Sequence, residues 1–106
     1  MLNITKLSPG VISLGLLASD TINAYVLTAS VAKRVTVPAG ANIVELASSG
    51  DFYVRWHASL NAAIPGADVT DGSAPEYKPT VSNLRTLASY SIIAPADCIV
   101  TASYYG

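Results

Sequence analysis

The alternation of apolar and polar residues in short segments is the feature that most constrains this chain. The clearest example is Phe52–His57, which reads Phe52, Tyr53, Val54, Arg55, Trp56 and His57. Successive side chains of a β-strand point to opposite faces of a sheet. The pattern therefore predicts a half-buried strand with Phe52, Val54 and Trp56 toward the core. Val31–Val37 alternates in the same way, with Val31, Val35 and Val37 on one face and Lys33 near a strand end or edge.

Further segments rich in β-branched and aromatic residues predict more strands, at 25–30, 42–48, 82–88, 89–94 and 98–105. Short turns separate several of them, such as Pro38–Ala41, where Gly40 is free to take a positive φ. Parallel pairing needs a crossover of about a dozen residues, so these turns indicate antiparallel neighbours. We expect a meander over 31–57 with a fourth strand before it. The predicted fold is all-β, an antiparallel β-sandwich or jelly-roll-like domain of six to eight strands.

The chain of 106 residues accommodates one domain. We expect an extended N-terminal arm over residues 1–23 and a single β-sandwich domain over 24–106, with a long Pro- and Gly-containing loop at 58–79. The longest apolar run, Val11–Ala18, is too short to span a membrane, which takes about 20 residues. Ser8–Gly10 interrupts the segment before it, so we expect no cleaved secretory signal.

Charged residues make up only 12% of the chain, against about 25% in an ordinary soluble domain, while 51% of residues are hydrophobic. Six basic and seven acidic residues leave a net charge of −1, which disfavours nucleic-acid binding. A surface with so little charge is poorly protected from association. We therefore expect contacts with neighbouring protein subunits through apolar residues of the arm and the loop, namely Leu14, Leu16, Leu17, Ile64, Val69 and Tyr77.

Residues that could support catalysis or metal binding are few. His57 is the one histidine and has no orienting partner in the sequence, so we expect a hydrogen-bonded surface residue. Cys98, the one cysteine, is expected to be a small buried hydrophobe. Asp68 and Asp71 lack the acid spacing of a calcium loop and suit an Asx-type turn. We expect no enzyme activity, no cofactor and no metal.

Several segments resemble small structural proteins of tailed bacteriophages, in particular head decoration, or cement, proteins. The resemblance covers about residues 31–106 and rests on Val35–Ala41, Ser49–Trp56, Ile64–Pro65, Ala67–Glu76, Ile92–Ala96 and Tyr104–Gly106. It implies a β-sandwich subunit on the capsid surface of a virion. It also implies a homo-oligomer, expected to be a trimer, that stabilises the particle by bridging copies of the major capsid protein.

Other functions stay open at the level of sequence. A carbohydrate-binding β-sandwich would expose Trp56 or Tyr53 in a groove, where aromatic rings stack on sugars. A tail or fibre-base component of a phage particle would share the same resemblance. A small hydrolase has only His57 and the Asp68–Asp71 loop in its support, with no visible pair of nucleophile and base.

Overall fold

A computed structural model describes Ser19 and residues 21–106, and strands are the only regular elements in this part of the chain. The expected arm lies almost entirely outside the described residues. The strands are β1 (Thr21–Leu27), β2 (Lys33–Thr36), β3 (Ile43–Ser48), β4 (Tyr53–Arg55), β5 (Glu76–Tyr77), β6 (Val81–Asn83), β7 (Ser89–Ile93) and β8 (Cys98–Tyr105).

The strands form two antiparallel sheets of four. The first sheet has the order β1-β8-β3-β6, and the second has the order β2-β7-β4-β5. This architecture confirms the all-β class and its antiparallel pairing. Lys33, expected near a strand end or edge, is the first residue of the edge strand β2.

The expected meander over 31–57 is wrong, because its three strands do not pair with one another. β2 and β4 lie in the second sheet, each beside β7, whereas β3 lies in the first sheet between β8 and β6. The turn at Pro38–Ala41 carries the chain from one sheet to the other. It has the hydrogen bond from Ala41 N to Pro38 O, 3.1 Å, and the positive φ at Gly40, 85°, of a type II turn. A short turn thus permits a change of sheet as readily as a hairpin.

The first strand also differs from the expected segment 25–30. β1 begins four residues earlier, at Thr21, and ends at Leu27, where a turn follows with a hydrogen bond from Val31 N to Thr28 O. Ser30 has φ 62°, which is incompatible with an extended strand. Val31 therefore lies in a connection rather than on a buried strand face, and its side chain is exposed.

The core lies between the two sheets and consists of alternate side chains from their facing surfaces. Phe52 and Val54 are almost completely buried, and Trp56 packs against the cluster, as the alternation predicted. From the first sheet the matching residues are Val44, Leu46, Val100 and Ala102. Cys98 is buried and unpaired, as expected for a small hydrophobe, and burial raises the pKa of its thiol.

Three tyrosines form a hydrogen-bonded chain that joins the sheets. The hydroxyl of Tyr104 in β8 lies 2.6 Å from that of Tyr90 in β7 and 2.9 Å from that of Tyr25 in β1. Trp56 packs on Tyr90 with ring centroids 4.9 Å apart. Each hydroxyl can both donate and accept, so the buried polar atoms satisfy one another. Burial raises the pKa of Tyr90 and of Tyr104 well above the usual range.

Stability should therefore decrease at alkaline pH. In the folded chain Tyr90 and Tyr104 hold their protons to a higher pH than in the unfolded chain, where tyrosine has a pKa near 10. Their contribution to the free energy of unfolding is complete below about pH 10 and is lost as pH rises above it. Denaturant titrations, followed by Trp56 fluorescence, should show this decrease. The variant Tyr90→Phe should reduce the slope by about 1.4 kcal/mol per pH unit. A slope that the variant leaves unchanged would contradict the explanation.

Candidate interaction surface

The outward surface of the first sheet is neutral and largely apolar. We call it the neutral face and define it as the outward side chains of β1, β8, β3 and β6. Its exposed large hydrophobic residues are Ile22, Val26, Val81 and Ile99, with exposed fractions of 57%, 65%, 53% and 48%. Alternate residues of these strands point inward, among them Leu27 of β1, Val44 of β3 and Val100 of β8, which belong to the core.

Strand register places these residues in rows across the sheet. Ile22 lies opposite Ser103, which lies opposite Glu45, which lies opposite Val81. In the next rows Ala24 faces Thr101, and Val26 faces Ile99. Glu45 is the one charged side chain among the outward positions of these four described strands. A contiguous exposed apolar patch rimmed by polar residues is a feature of protein interaction sites.

The outward surface of the second sheet is covered by the long loop instead. Ser91 and Ile93 point outward from β7, yet both are buried. The Ser91 hydroxyl accepts a hydrogen bond of 2.9 Å from the backbone N–H of Ala62, which is itself buried. The loop leaves β4 and returns as β5, the neighbour of β4 in the same sheet. Residues 58–75 therefore form a third layer over one side of the sandwich.

Arg34 fastens the start of this layer to the sheet. Its guanidinium group donates to the carbonyl oxygens of His57 and Leu60, both at 2.5 Å, to Asn61 Oδ1 at 3.0 Å and to Ser89 Oγ at 3.3 Å. The planar fork of arginine can serve several acceptors at once, which a lysine ammonium cannot do in the same geometry.

The far end of the loop is held by Arg55 and Asp71. Arg55 donates to the carbonyl oxygen of Ser73. Asp71 Oδ1 accepts from the Ser73 hydroxyl at 2.5 Å and from its backbone N–H at 3.0 Å. These bonds lower the pKa of Asp71 and confirm the predicted Asx-type turn.

The predicted interface residues occupy different places. Leu14, Leu16 and Leu17 lie outside the described residues. Ile64 and Val69 line a shallow groove of about 490 Å³ within the loop layer. Ile64 is half-buried there, whereas Val69 is exposed. Tyr77 lies in β5 and is exposed.

Tyr77 belongs to a small polar and aromatic cluster at the edge of the second sheet. Its hydroxyl donates to Asp51 Oδ1 at 2.9 Å, and its ring packs on Tyr53 with centroids 5.3 Å apart. Lys78 Nζ lies 3.7 Å from the same carboxylate oxygen. The hydrogen bond to Asp51 raises the pKa of Tyr77.

The interface residues predicted from the sequence include none from the neutral face. The alternation of Cys98–Tyr105 does place Ile99, Thr101 and Ser103 on one side of a strand. Nothing in the sequence distinguishes a side covered by a loop from an open one. The length of the loop predicted an interaction role, yet Leu60, Ala62 and Ser73 of the loop are bonded to the second sheet of the same chain.

His57 has a structural role in the loop layer. It is half-buried, and its Nδ1 accepts hydrogen bonds of 3.1 Å from the backbone N–H groups of Ser59 and Leu60. The Ser59 hydroxyl lies 3.4 Å from the same nitrogen. Within residues 21–106 we find no group of three His, Cys, Asp or Glu side chains that could hold a metal ion.

In residues 21–106 two antiparallel sheets pack together, with the loop bonded to the outer side of the second sheet and the neutral face exposed on the first. Comparison of the chain with protein-family models, curated proteins and solved structures gave no match. None of the described segments is a helix with the length and hydrophobicity that a membrane crossing requires.

The anchoring by Arg34 can be tested by hydrogen exchange. In Arg34→Lys the fork is lost, so the start of the loop should open more often, and the amides of Leu60 and Ala62 should exchange about tenfold faster or more. Lys33→Arg, at the adjacent exposed position, should leave these rates unchanged. Equal rates in Arg34→Lys and the native chain would show that the loop is held without this residue.

Proposed function

We propose that the chain is a structural subunit of a tailed-bacteriophage virion, a decoration or cement protein on the capsid surface. The observation that carries the proposal is the neutral face, together with the resemblance in sequence described above. The proposed partners are the major capsid protein and further copies of the chain itself. Trimers are the expected assembly, and the jelly-roll-like fold and the N-terminal arm form part of the same proposal.

The proposed mechanism is the burial of apolar surface at many equivalent contacts. Each copy would bury part of its neutral face in contact with a neighbour. The favourable free energy would be about 25 cal/mol per Å² of apolar surface buried, before association costs are subtracted. Because Glu45 provides the one carboxylate on this face, the cost of removing water from charged groups on contact would be small. Repetition over a symmetric shell would turn modest single contacts into firm attachment.

The location can be tested by fractionating particles of the phage that encodes the chain. Virions are separated into DNA-filled heads and tails, and each fraction is analysed for peptides of this chain by mass spectrometry. We expect the peptides in the head fraction at many copies per particle. Peptides confined to tails would favour the tail or fibre-base alternative, and their absence from virions would overturn the proposal.

The contact itself can be tested with substitutions on the neutral face. Ile99→Lys and Val81→Lys change side chains that are about half exposed, so both variants should fold. Each would place an ammonium group in the proposed contact and should weaken binding to heads stripped of the native protein by about tenfold or more. Val31→Lys, at a similarly exposed valine in a connection, is the matched control. Equal occupancy of all three variants would show that another surface attaches.

A carbohydrate-binding module is the second candidate, supported by one groove. Trp56 lines a groove of about 640 Å³ together with Glu76, Asn83 and Arg85. The Trp56 ring also packs against the core, and its Nε1 is buried without a partner. A glycan in this groove should change Trp56 fluorescence, and Glu76→Gln should weaken that response. We expect no response to a glycan panel if the chain is a structural subunit.

A further inference from the structure

We propose that the open edge of β1 pairs with the β1 edge of a second copy, antiparallel and about a two-fold axis through Ala24. The contact would join the first sheets of two copies into one sheet of eight strands. It concerns the chain with itself and goes beyond the virion location proposed above.

The first observation is the contrast between the four sheet edges. Natural edge strands are protected from pairing by charge, proline, bulges or brevity. β2 carries Lys33 and Arg34, β5 has two residues, and β6 has three. β1 has seven residues, Thr-Ile-Asn-Ala-Tyr-Val-Leu, with no charge and no proline. In the described part of the chain, the edge of β1 away from β8 pairs with no strand.

The second observation identifies the backbone groups at that edge. Ile99 accepts a hydrogen bond from Ser49 N at 3.0 Å, and its own N–H donates to Ser49 Oγ at 3.0 Å. Both backbone groups of Ile99 therefore point away from β1. Val26, which faces Ile99, points its own groups away from β8 in a regular antiparallel ladder. By the period of two, Ile22, Ala24 and Val26 present N–H and C=O groups at the open edge.

The third observation is that this edge is complementary to itself. A two-fold axis through Ala24 places Ala24 opposite Ala24 and Ile22 opposite Val26 of the second copy. Facing pairs of this type exchange two hydrogen bonds, so the three pairs would satisfy all the open groups. Because β1 carries no charge, the symmetry brings no like charges together. Ile22 and Val26 are both largely exposed and would gain apolar neighbours.

In an assembly of trimers, such a two-fold contact would link one trimer to the next. In the purified chain it predicts masses with an even number of subunits. Light scattering and native mass spectrometry of the purified protein therefore test it without any virion, so its outcome is independent of the location experiment above.

Opposite charges at Ala24 give the sharpest test. Ala24→Lys and Ala24→Glu each place like charges face to face and should weaken the two-fold contact by about tenfold or more. An equal mixture of the two variants should restore the contact as a mixed pair, visible by its intermediate mass. Ala39→Lys and Ala39→Glu, at an exposed alanine of the Pro38–Ala41 turn and outside the neutral face, are the controls and should keep the native mass.

A cross-link provides a second measurement. In the proposed pairing the two Ala24 Cα atoms would lie about 5.5 Å apart, which is within the range of a disulfide. Ala24→Cys should therefore form a covalent dimer on mild oxidation, while Ala39→Cys, in the exposed Pro38–Ala41 turn, should not. A native monomer, a mass that Ala24→Lys leaves unchanged, or equal cross-linking of both cysteine variants would overturn the proposal.

Discussion

The apolar contact between the facing sides of the two sheets is the interaction on which the rest of the structure depends. Neither sheet would be stable alone in water, because its apolar inner face would then be exposed. Val54, Ile92 and Val100 are examples of residues buried between the sheets. The side chains of Tyr90 and Tyr104 are completely buried in this contact. The Tyr104 hydroxyl is hydrogen-bonded to those of Tyr25 and Tyr90. These bonds favour this relative position of the two sheets over others in which the buried hydroxyls would lack partners.

The outer surfaces of the two sheets differ in what contacts them. The loop layer covers the second sheet and is fastened by Arg34, Ser91 and Arg55, so cationic side chains of the sheet serve the chain itself. The first sheet keeps an open outer surface on which Glu45 is the one charge of its described strands. Loop contacts therefore lie on the outer side of the second sheet, while Ile22, Val26 and Ile99 on the outer side of the first sheet stay exposed.

Much of the local structure could be predicted, because it depends on neighbours in sequence. The alternation around Val54 predicted its strand face, and the Pro38–Ala41 turn and the Asx-type turn at Asp71 were recognised from their residues. The pairing of β2, β3 and β4 could not be predicted. A turn of a few residues can close a hairpin or cross between sheets, and the choice depends on distant strands, since β7 and β8 supply the partners.

The sequence alone determined an all-β chain with short strands, a scarcity of charge and a buried Cys98. These properties follow from side-chain period and composition, which act locally and need no partner strand. Only the tertiary structure decided which outer sheet surface is exposed among the described residues, and that β1 is an edge strand of the described first sheet. Arg34, Ile93 and Ile99 show why, since each lies on an outward strand face by the same alternation. The loop carbonyl oxygen of Leu60 binds Arg34, and Ile93 is buried, whereas Ile99 is 48% exposed. These differences depend on contacts between residues far apart in sequence, which alternation alone does not specify.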